Sequence, residues 1–318
     1  MGSSFSTVFV DPCACSFLSP FASYQRPNPR EPYPNCSSPA SLGHLPENCA
    51  AIVLSHLDPP DICNLARLNR TFRSAAWADF VWESKLPCNC DALSSRILTE
   101  GRGDEIRSTM CNRDIFARLC QTNTFDGGTK RAWLDKNSGK LSLSISAKGL
   151  TITGIDDRRY WNHIPTEESS FNSVAYLNQT WWLEVTGQVE FPFPAGRYGL
   201  FFRLQLGRSS KSFGRRICNT EHVHGWDIKP VRLQLWTSDG QHASSECFLK
   251  ETGKWSFYHV GDFVVDGTKK FISLKLSMSQ IDCTHTKGGL CLDSVCVFPC
   301  TYDSSGTKVF DSDFRRCP

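Results

Sequence analysis

Leu141-Ser142-Leu143-Ser144-Ile145, followed beyond a Gly149 turn by Leu150-Thr151-Ile152-Thr153, decides the architecture of most of this chain. Apolar and hydroxyl residues alternate with a period of two, which places every second side chain on the same face of a strand. The pattern returns at Trp181 to Glu190, Tyr198 to Leu206, Val231 to Trp236, Trp255 to Val265, Phe271 to Leu276 and Ser294 to Phe298. These segments are rich in β-branched and aromatic residues, which suit a pleated, half-buried surface, and Gly, Pro, Asn and Asp separate them. Roughly eight or more short strands over about 170 residues predict an antiparallel sandwich or jelly roll.

Upstream of Lys130 the period is near 3.6. Leu45-Pro46-Glu47 opens a run with Ile52, Val53 and Leu57 at helical spacing. Asp58-Pro59-Pro60-Asp61 breaks it and restarts the chain, with Asp58 placed as a cap and proline tolerated in a first turn. A second helix is predicted through Ile62, Leu65, Ala66, Leu68 and Phe72, and a third segment through Trp77, Phe80, Val81, Trp82 and Leu86. Three such helices make a very small core and present more apolar surface than they can bury alone. A polar helical connector follows, with Ile106, Met110, Ile115, Phe116 and Leu119 on one packed face, and Phe125-Asp126-Gly127-Gly128 ends it. Pro27, Pro29, Pro32, Pro34 and Pro39 exclude regular helix from the start of the chain. The expected organisation is a disordered segment over 1–41, a three-helix unit over 42–87, the connector over 88–130, a β-sandwich over 131–302 and a tail over 303–318. The fold class is therefore α+β and multidomain: a small helical unit followed by an all-β jelly-roll-like sandwich.

Composition narrows the function. The 318 residues carry 35 Lys+Arg against 32 Asp+Glu, a balance of +3 that argues against a nucleic-acid partner. Sixteen cysteines would suggest disulfides in a secreted chain, but Met1 to Val10 has neither basic residues nor a signal-peptide apolar run. The cysteines read as reduced thiols in a cytoplasmic or nuclear protein. Cys13/Cys15, Cys88/Cys90 and the group Cys283, Cys291, Cys296, Cys300 lack paired metal-ligand spacing, so no metal or cofactor is expected. Met1-Gly2 with Ser6 fits an acylation pattern at Gly2. A single myristoyl chain anchors only weakly, and Cys13 or Cys15 offers a second lipid site.

No enzyme signature is present: there is no phosphate-cradling loop, nucleophile elbow or His-Glu-x-x-His. His222 and His224 form a pair without a third ligand, and Asp156-Asp157 and Glu167-Glu168 are adjacent carboxylates that point apart on extended backbone. The basic stretch Gly207 to Arg216 reads as a solvated hairpin. Aromatic supply is more informative. Among nine Trp residues, Trp161 stands in a charged loop, Gly154-Ile155-Asp156-Asp157-Arg158-Arg159-Tyr160-Trp161. An aromatic face beside polar groups suits a sugar, so Trp161, Tyr160, Asp156 and Asp157 are candidate carbohydrate-binding residues. The other Trp residues of the β region are assigned to the core, since alternation buries one of Trp181 and Trp182.

Two resemblances follow from these residues. Leu45-Pro46-Glu47, Ile52, Leu57, Asp58-Pro59, Leu65, Asn69-Arg70, Phe72, Trp77 and Trp82 resemble an F-box over about residues 42–87. That resemblance implies a non-catalytic adaptor that binds a Skp-type adaptor and a cullin in an SCF ubiquitin ligase, with Leu45, Pro46, Ile52, Leu57, Leu65 and Trp82 forming or supporting the binding surface. Leu150 to Thr153, Asp156 to Trp161, Val174-Ala175-Tyr176-Leu177, Trp181 to Val185 and Gly261-Asp262-Phe263 resemble the phloem protein 2 family, the Nictaba-like lectins. This second family implies a jelly-roll-like sandwich that binds N-acetylglucosamine oligomers or N-glycan cores, hence a protein or glycoprotein target. The family pattern has two sugar-stacking Trp residues. Trp161 matches the second, and Gly154, which has no ring, stands in place of the first.

Overall fold

The computed structural model describes residues 45–98, 110–212, 215–302 and 308–309, with the side chains of 209–217 and beyond Cys300 left aside. Gly2, Cys13, Cys15, the first 41 residues, Ile106 and the 303–318 tail apart from 308–309 lie outside the described residues. The chain divides into two compact units, one reaching Val81 and the other starting at Trp82.

In the first unit, Pro46 leads into α1 (Glu47–Ser55), which buries Ala50, Ala51 and Leu54. Pro59 starts α2 (Pro59–Leu65). Asp58 caps this helix with its backbone carbonyl, which accepts from Asp61 N at 2.9 Å and Ile62 N at 3.1 Å; its side chain makes no cap bond. The predicted second helix is two. Asn69 ends the apolar run, and its Oδ1 accepts from Phe72 N at 2.8 Å to start α3 (Arg70–Ala75). The short α4 (Asp79–Glu83) follows, and the division between the units falls within it, after Val81.

The second unit opens with α5 (Cys90–Leu98) and α6 (Asn112–Leu119), then turns to strands earlier than the predicted connector allows. The first strands are β1 (Asn123–Phe125), β2 (Lys130–Leu134), β3 (Leu141–Ser146), β4 (Thr151–Ile152), β5 (Trp161–Pro165) and β6 (Ser173–Leu177). After them come β7 (Leu183–Phe191), β8 (Gly196–Leu206), β9 (Arg208–Ser212), β10 (Arg215–Asn219), β11 (Val231–Thr237) and β12 (His242–Cys247). The last are β13 (Ser256–Val265), β14 (Ile272–Gln280), β15 (Leu290–Pro299), β16 (Thr301–Tyr302) and β17 (Lys308–Val309).

Two antiparallel sheets result. In the first, β15 is the axis. One edge pairs with β8, which pairs in turn with β13; the other edge is shared, Leu290–Leu292 pairing with β6 and Ser294–Val297 with β3. The second sheet runs β12-β11-β14-β7-β4. The alternation of Leu141 to Ile145 sends Leu143 and Ile145 inward with Val297 and Val295, their register partners. Phe125 on the first sheet meets Phe191 on the second at 5.7 Å between rings, and Phe193, Tyr198 and Phe263 continue this aromatic seam. On β11 the second sheet alternates buried Val231, Leu233 and Leu235 with solvent-facing Arg232 and Trp236, the mark of a sheet with one wet face. The basic stretch expected as a hairpin is one, with Arg215 opposite Ser212.

The turn between β1 and β2 takes Asp126, Gly127 and Gly128 through positive φ of 51°, 62° and 83°. Asp126 there receives Arg96 at 2.7 Å and Lys130 at 2.5 Å, tying α5 to the hairpin. Burial pushes its carboxyl pKa up, but the hydrogen bonds from Lys130 and Arg96 outweigh burial and hold it below the usual range. The pairing thus stabilises fully above the ordinary carboxylate pKa of ~4 and is lost as pH falls through the lower folded value. Asp126→Asn is expected to cost roughly 1–2 kcal/mol at neutral pH, measured by urea unfolding, and to flatten the stability profile at acid pH.

Candidate recognition surfaces

The helical unit exposes what a lone bundle would hide. Ile52 and Val53 on α1 are 55% and 48% exposed, and Leu68, Trp77 and Phe80 are exposed too, Trp77 to 58%. Backbone period explains the first pair: α1 turns Ala50, Ala51 and Leu54 inward, so Ile52 and Val53 point away. Of the predicted surface residues, Ile52 and Pro46 are exposed and Leu45, Leu57 and Leu65 are half-buried. Trp82 corrects the expectation. It is buried in the second unit, its ring 5.6 Å from that of Phe116, and serves the core there. The exposed aromatics that sequence reading did not select are Trp77 and Phe80.

In the β unit the charged loop folds differently from its sequence reading. Trp161 is 1% exposed. It opens β5, pairs with Leu177, and its N–H donates to Asp157 O at 3.1 Å. No ring face is left for a sugar, so Trp161 is core. Tyr160 is exposed, with the Arg159 guanidinium 5.6 Å from its ring. Asp157 is committed within the loop: its carboxylate accepts from Arg159 Nε at 3.0 Å and Nη2 at 2.7 Å. Those hydrogen bonds, above all, lower its pKa. Asp156 is exposed beside it. Asn178 pins the loop from outside, donating from Nδ2 to Arg158 O at 3.0 Å and from its backbone N–H to Tyr160 O at 2.8 Å. Gly154 has φ of 81°, and a Cβ there would stand 3.6 Å from the Tyr160 ring. The backbone itself therefore disfavours a tryptophan at this position.

The aromatic supply at this end of the sandwich comes from a pair assigned to the core. Trp181 and Trp182 are 52% and 44% exposed. Alternation does not apply to them, because β7 begins only at Leu183. Trp182 Nε1 donates to Glu184 Oε2 at 3.2 Å, which orients the indole, and Thr180 Oγ1 donates to Trp182 O at 2.9 Å. Leu183 pairs with Gln280, and Ile281, the residue after it, is also exposed. Gln280 Nε2 reaches Lys229 O at 2.5 Å and brings the exposed Ile228 to the same end.

A buried cation holds this platform. Lys287 is fully buried, and its ammonium donates to Trp181 O at 2.8 Å, Gln280 O at 3.0 Å and Asp282 O at 3.1 Å. Three carbonyls match its three N–H bonds. Burial pulls its pKa below the lysine range. The other Trp residues vary: Trp226 is buried and donates to Gly288 O at 2.7 Å, Trp236 stacks on His242, and Trp255 gives its N–H to Glu168. His224 is engaged by His222 O and Thr286 Oγ1. Among the described residues no group of three His, Cys, Asp or Glu is placed to hold a metal, and every cysteine is a free thiol.

This combination is met elsewhere. A family model described as Phloem protein 2 matches residues 140–299, and one described as F-box-like matches residues 42–86. F-box protein PP2-A13 of Arabidopsis thaliana is 60% identical over 260 residues, covering 81% of this chain and 88% of that protein. F-box protein PP2-A12 of the same plant is 59% identical, covering 81% of this chain and 87% of that protein. For F-box protein PP2-A15, also from Arabidopsis thaliana, the identity is 50% and the coverage 81% and 88%. Among solved structures, a family 35 carbohydrate binding module from Clostridium thermocellum aligns with 14% identity and a TM-score of 0.30, over 50% of this chain and 98% of that one; the likeness is too loose to bear on fold or ligand. The chain belongs to the F-box proteins that carry a phloem protein 2 domain.

Proposed function

We propose that this protein is the substrate-recognition subunit of an SCF ubiquitin ligase, with the helical unit engaging a Skp-type adaptor and the β unit holding a protein target, glycosylated proteins among them. Members of the family act as adaptors in general, and an F-box implies a Skp-type partner. The observation that carries the proposal is the exposure of Ile52, Val53, Leu68, Trp77 and Phe80 on so short a set of helices. Fully burying each such side chain at an interface contributes about 1.5–3 kcal/mol. The chain itself makes and breaks no bond; it raises the concentration of a target near the ligase. Affinity purification from plant cells tests this. The intact chain brings down the adaptor and cullin, and a chain lacking residues 42–78 loses both while keeping Trp82 with its partner Phe116. Retention of the adaptor after that deletion overturns the assignment. We propose that the protein acts in the cytoplasm, the nucleus or both. Acylation at Gly2 alone would add a weak membrane anchor, and a second lipid on Cys13 or Cys15 would strengthen it; intact-mass measurement detects either.

A second reading, a glycan-binding lectin without a ligase role, is favoured by the oriented, exposed indole of Trp182. It makes a separable prediction. Trp182→Ala lowers binding to N-acetylglucosamine oligomers about tenfold, since an aromatic platform is worth roughly 1 kcal/mol or more. Trp161→Ala instead unfolds the domain, costing about 3–5 kcal/mol. Isothermal titration beside thermal melting separates the two. Unchanged binding by the Trp182 variant counts against sugar stacking at this end.

A further inference from the structure

The outer face of the first sheet carries buried polar atoms that the fold does not satisfy. Ser144 and Ser146 turn outward between the inward residues of β3. Arg131 lies opposite Ser144, and Ser294 lies opposite Ser146. Asp293 occupies the bulge beside Ser294. Its Oδ2 is well supplied, accepting from Arg203 Nη1 at 2.6 Å and from Ser294 Oγ at 2.8 Å. By contrast, Asp293 Oδ1, Ser146 Oγ and Arg131 Nε are buried without a hydrogen-bond partner among the described residues. Asp293 is 1% exposed and Ser146 3%. The three residues stand on β15, β3 and β2, which are neighbours in the sheet. Burial pulls the Arg131 guanidinium below the arginine range, and the Asp293 carboxylate, near enough to be felt, pushes it partly back.

The loop between β5 and β6 rests on this group. Arg203 donates to Glu168 O from Nη1 and Nη2, both at 3.1 Å, and Trp255 Nε1 donates to Glu168 Oε2 at 2.6 Å. The Arg131 guanidinium lies 4.7 Å from the Phe171 ring centre. An unpaired buried polar atom costs about 1–3 kcal/mol, so such atoms are few in native folds. Here a donor, an acceptor and a hydroxyl that serves as either share one face. The charges select the ligand. Arg131 and Arg203 balance Asp293 and Glu168, so an added ion of either sign would be desolvated beside a like charge. A neutral group is favoured. Arg131 and Asp293 stand two strand spacings apart at the backbone, about 10 Å, so the ligand needs its acceptor and its donor on separate atoms. A hydroxyl has both on one oxygen, whereas a primary amide carries a carbonyl and an NH2 on one carbon.

We propose that this face binds the side-chain amide of a glutamine or asparagine in a protein target. The amide carbonyl accepts from Arg131 Nε, its NH2 donates to Asp293 Oδ1 and Ser146 Oγ, and Phe171 lifts from Arg131 to admit it. The inference rests on the reading that the β unit holds a protein target, and it names the chemistry by which one side chain of that target is held.

Nuclear magnetic resonance of the full chain, carrying nitrogen-labelled arginine, tests the contact through the Arg131 Nε–H signal, assigned by its loss in Arg131→Lys. N-acetylglutamine methylamide is expected to shift this signal saturably, while N-acetylleucine methylamide and N-acetylglutamate methylamide leave it in place. Ser146→Ala is expected to weaken the glutamine amide by up to about tenfold, the worth of one hydrogen bond. Its melting temperature stays the same or rises, because the lost hydroxyl has no partner in the fold. No shift with the glutamine amide, an equal shift with the leucine control, unchanged affinity in Ser146→Ala, or a shift produced only by N-acetylglucosamine oligomers overturns the proposal. The target-holding role is read separately, by capture of a ubiquitin-modified target. Such capture by a chain whose Arg131 signal ignores the amide overturns this site and leaves that role standing.

Discussion

Replacing Ile52 and Trp77 together by aspartate is expected to weaken binding of a Skp-type adaptor by at least ~100-fold, because each removes an apolar contact of about 1.5–3 kcal/mol and every 1.4 kcal/mol is tenfold. The aspartates add a charge that an apolar interface would have to desolvate without a partner. Both positions are more than half exposed in the chain itself. The fold should therefore feel the change by no more than about 0.5 kcal/mol, the usual range for surface substitutions. Isothermal titration with purified adaptor reads the first effect and circular dichroism the second. Leu54→Asp is the informative contrast. Leu54 is fully buried in the same helix, so that variant loses the adaptor by losing the unit.

Lys287→Met is expected to have the largest effect in the β unit. It leaves the carbonyls of Trp181, Gln280 and Asp282 without the ammonium that satisfies them. A buried acceptor left unpaired costs about 1–3 kcal/mol, offset in part by the desolvation that the lysine no longer suffers. A net loss of roughly 3 kcal/mol lowers the melting temperature by about 6–12 °C for a domain of this size. The damage should be local as well. Hydrogen exchange is expected to rise across 180–182 and 280–288 while β15 keeps its protection, since these loops share the lost anchor. An unchanged melting temperature with unchanged exchange in those loops would show that the lysine does not hold the platform.

What could be read from the sequence follows from which interactions are local. The period-two run at Leu141 to Ile145 identified the sandwich because alternation is a property of neighbours. The F-box was legible because its Leu-Pro start, Asp-Pro break and Trp residues occur in a short ordered stretch. Asn69, which caps α3, was available in the same way but was read as part of a continuing apolar run. The site residues failed where partners are distant. Trp161 stands among charges in sequence, yet its place in β5 is fixed by pairing with Leu177. Trp82 resembles its exposed neighbours Trp77 and Phe80 until Phe116 packs on it. Trp181 and Trp182 escape the rule of alternation because the strand starts one residue later and Lys287, far along the chain, holds the approach to it. Gly154 marked in the sequence a position without a ring, and its positive φ is the physical reason that a side chain is disfavoured there.

The central claim is that one end of this chain reaches a ligase while the other holds a target. The most direct measurement is parallel affinity purification, under proteasome inhibition, of the wild-type chain and the Ile52→Asp, Trp77→Asp variant, followed by quantification of ubiquitin-modified peptides. The account predicts that both capture a shared target through the β unit, that adaptor and cullin accompany only the wild type, and that the target carries ubiquitin only there. Absence of the adaptor from the wild-type capture, or equal modification of the target with both chains, would contradict it.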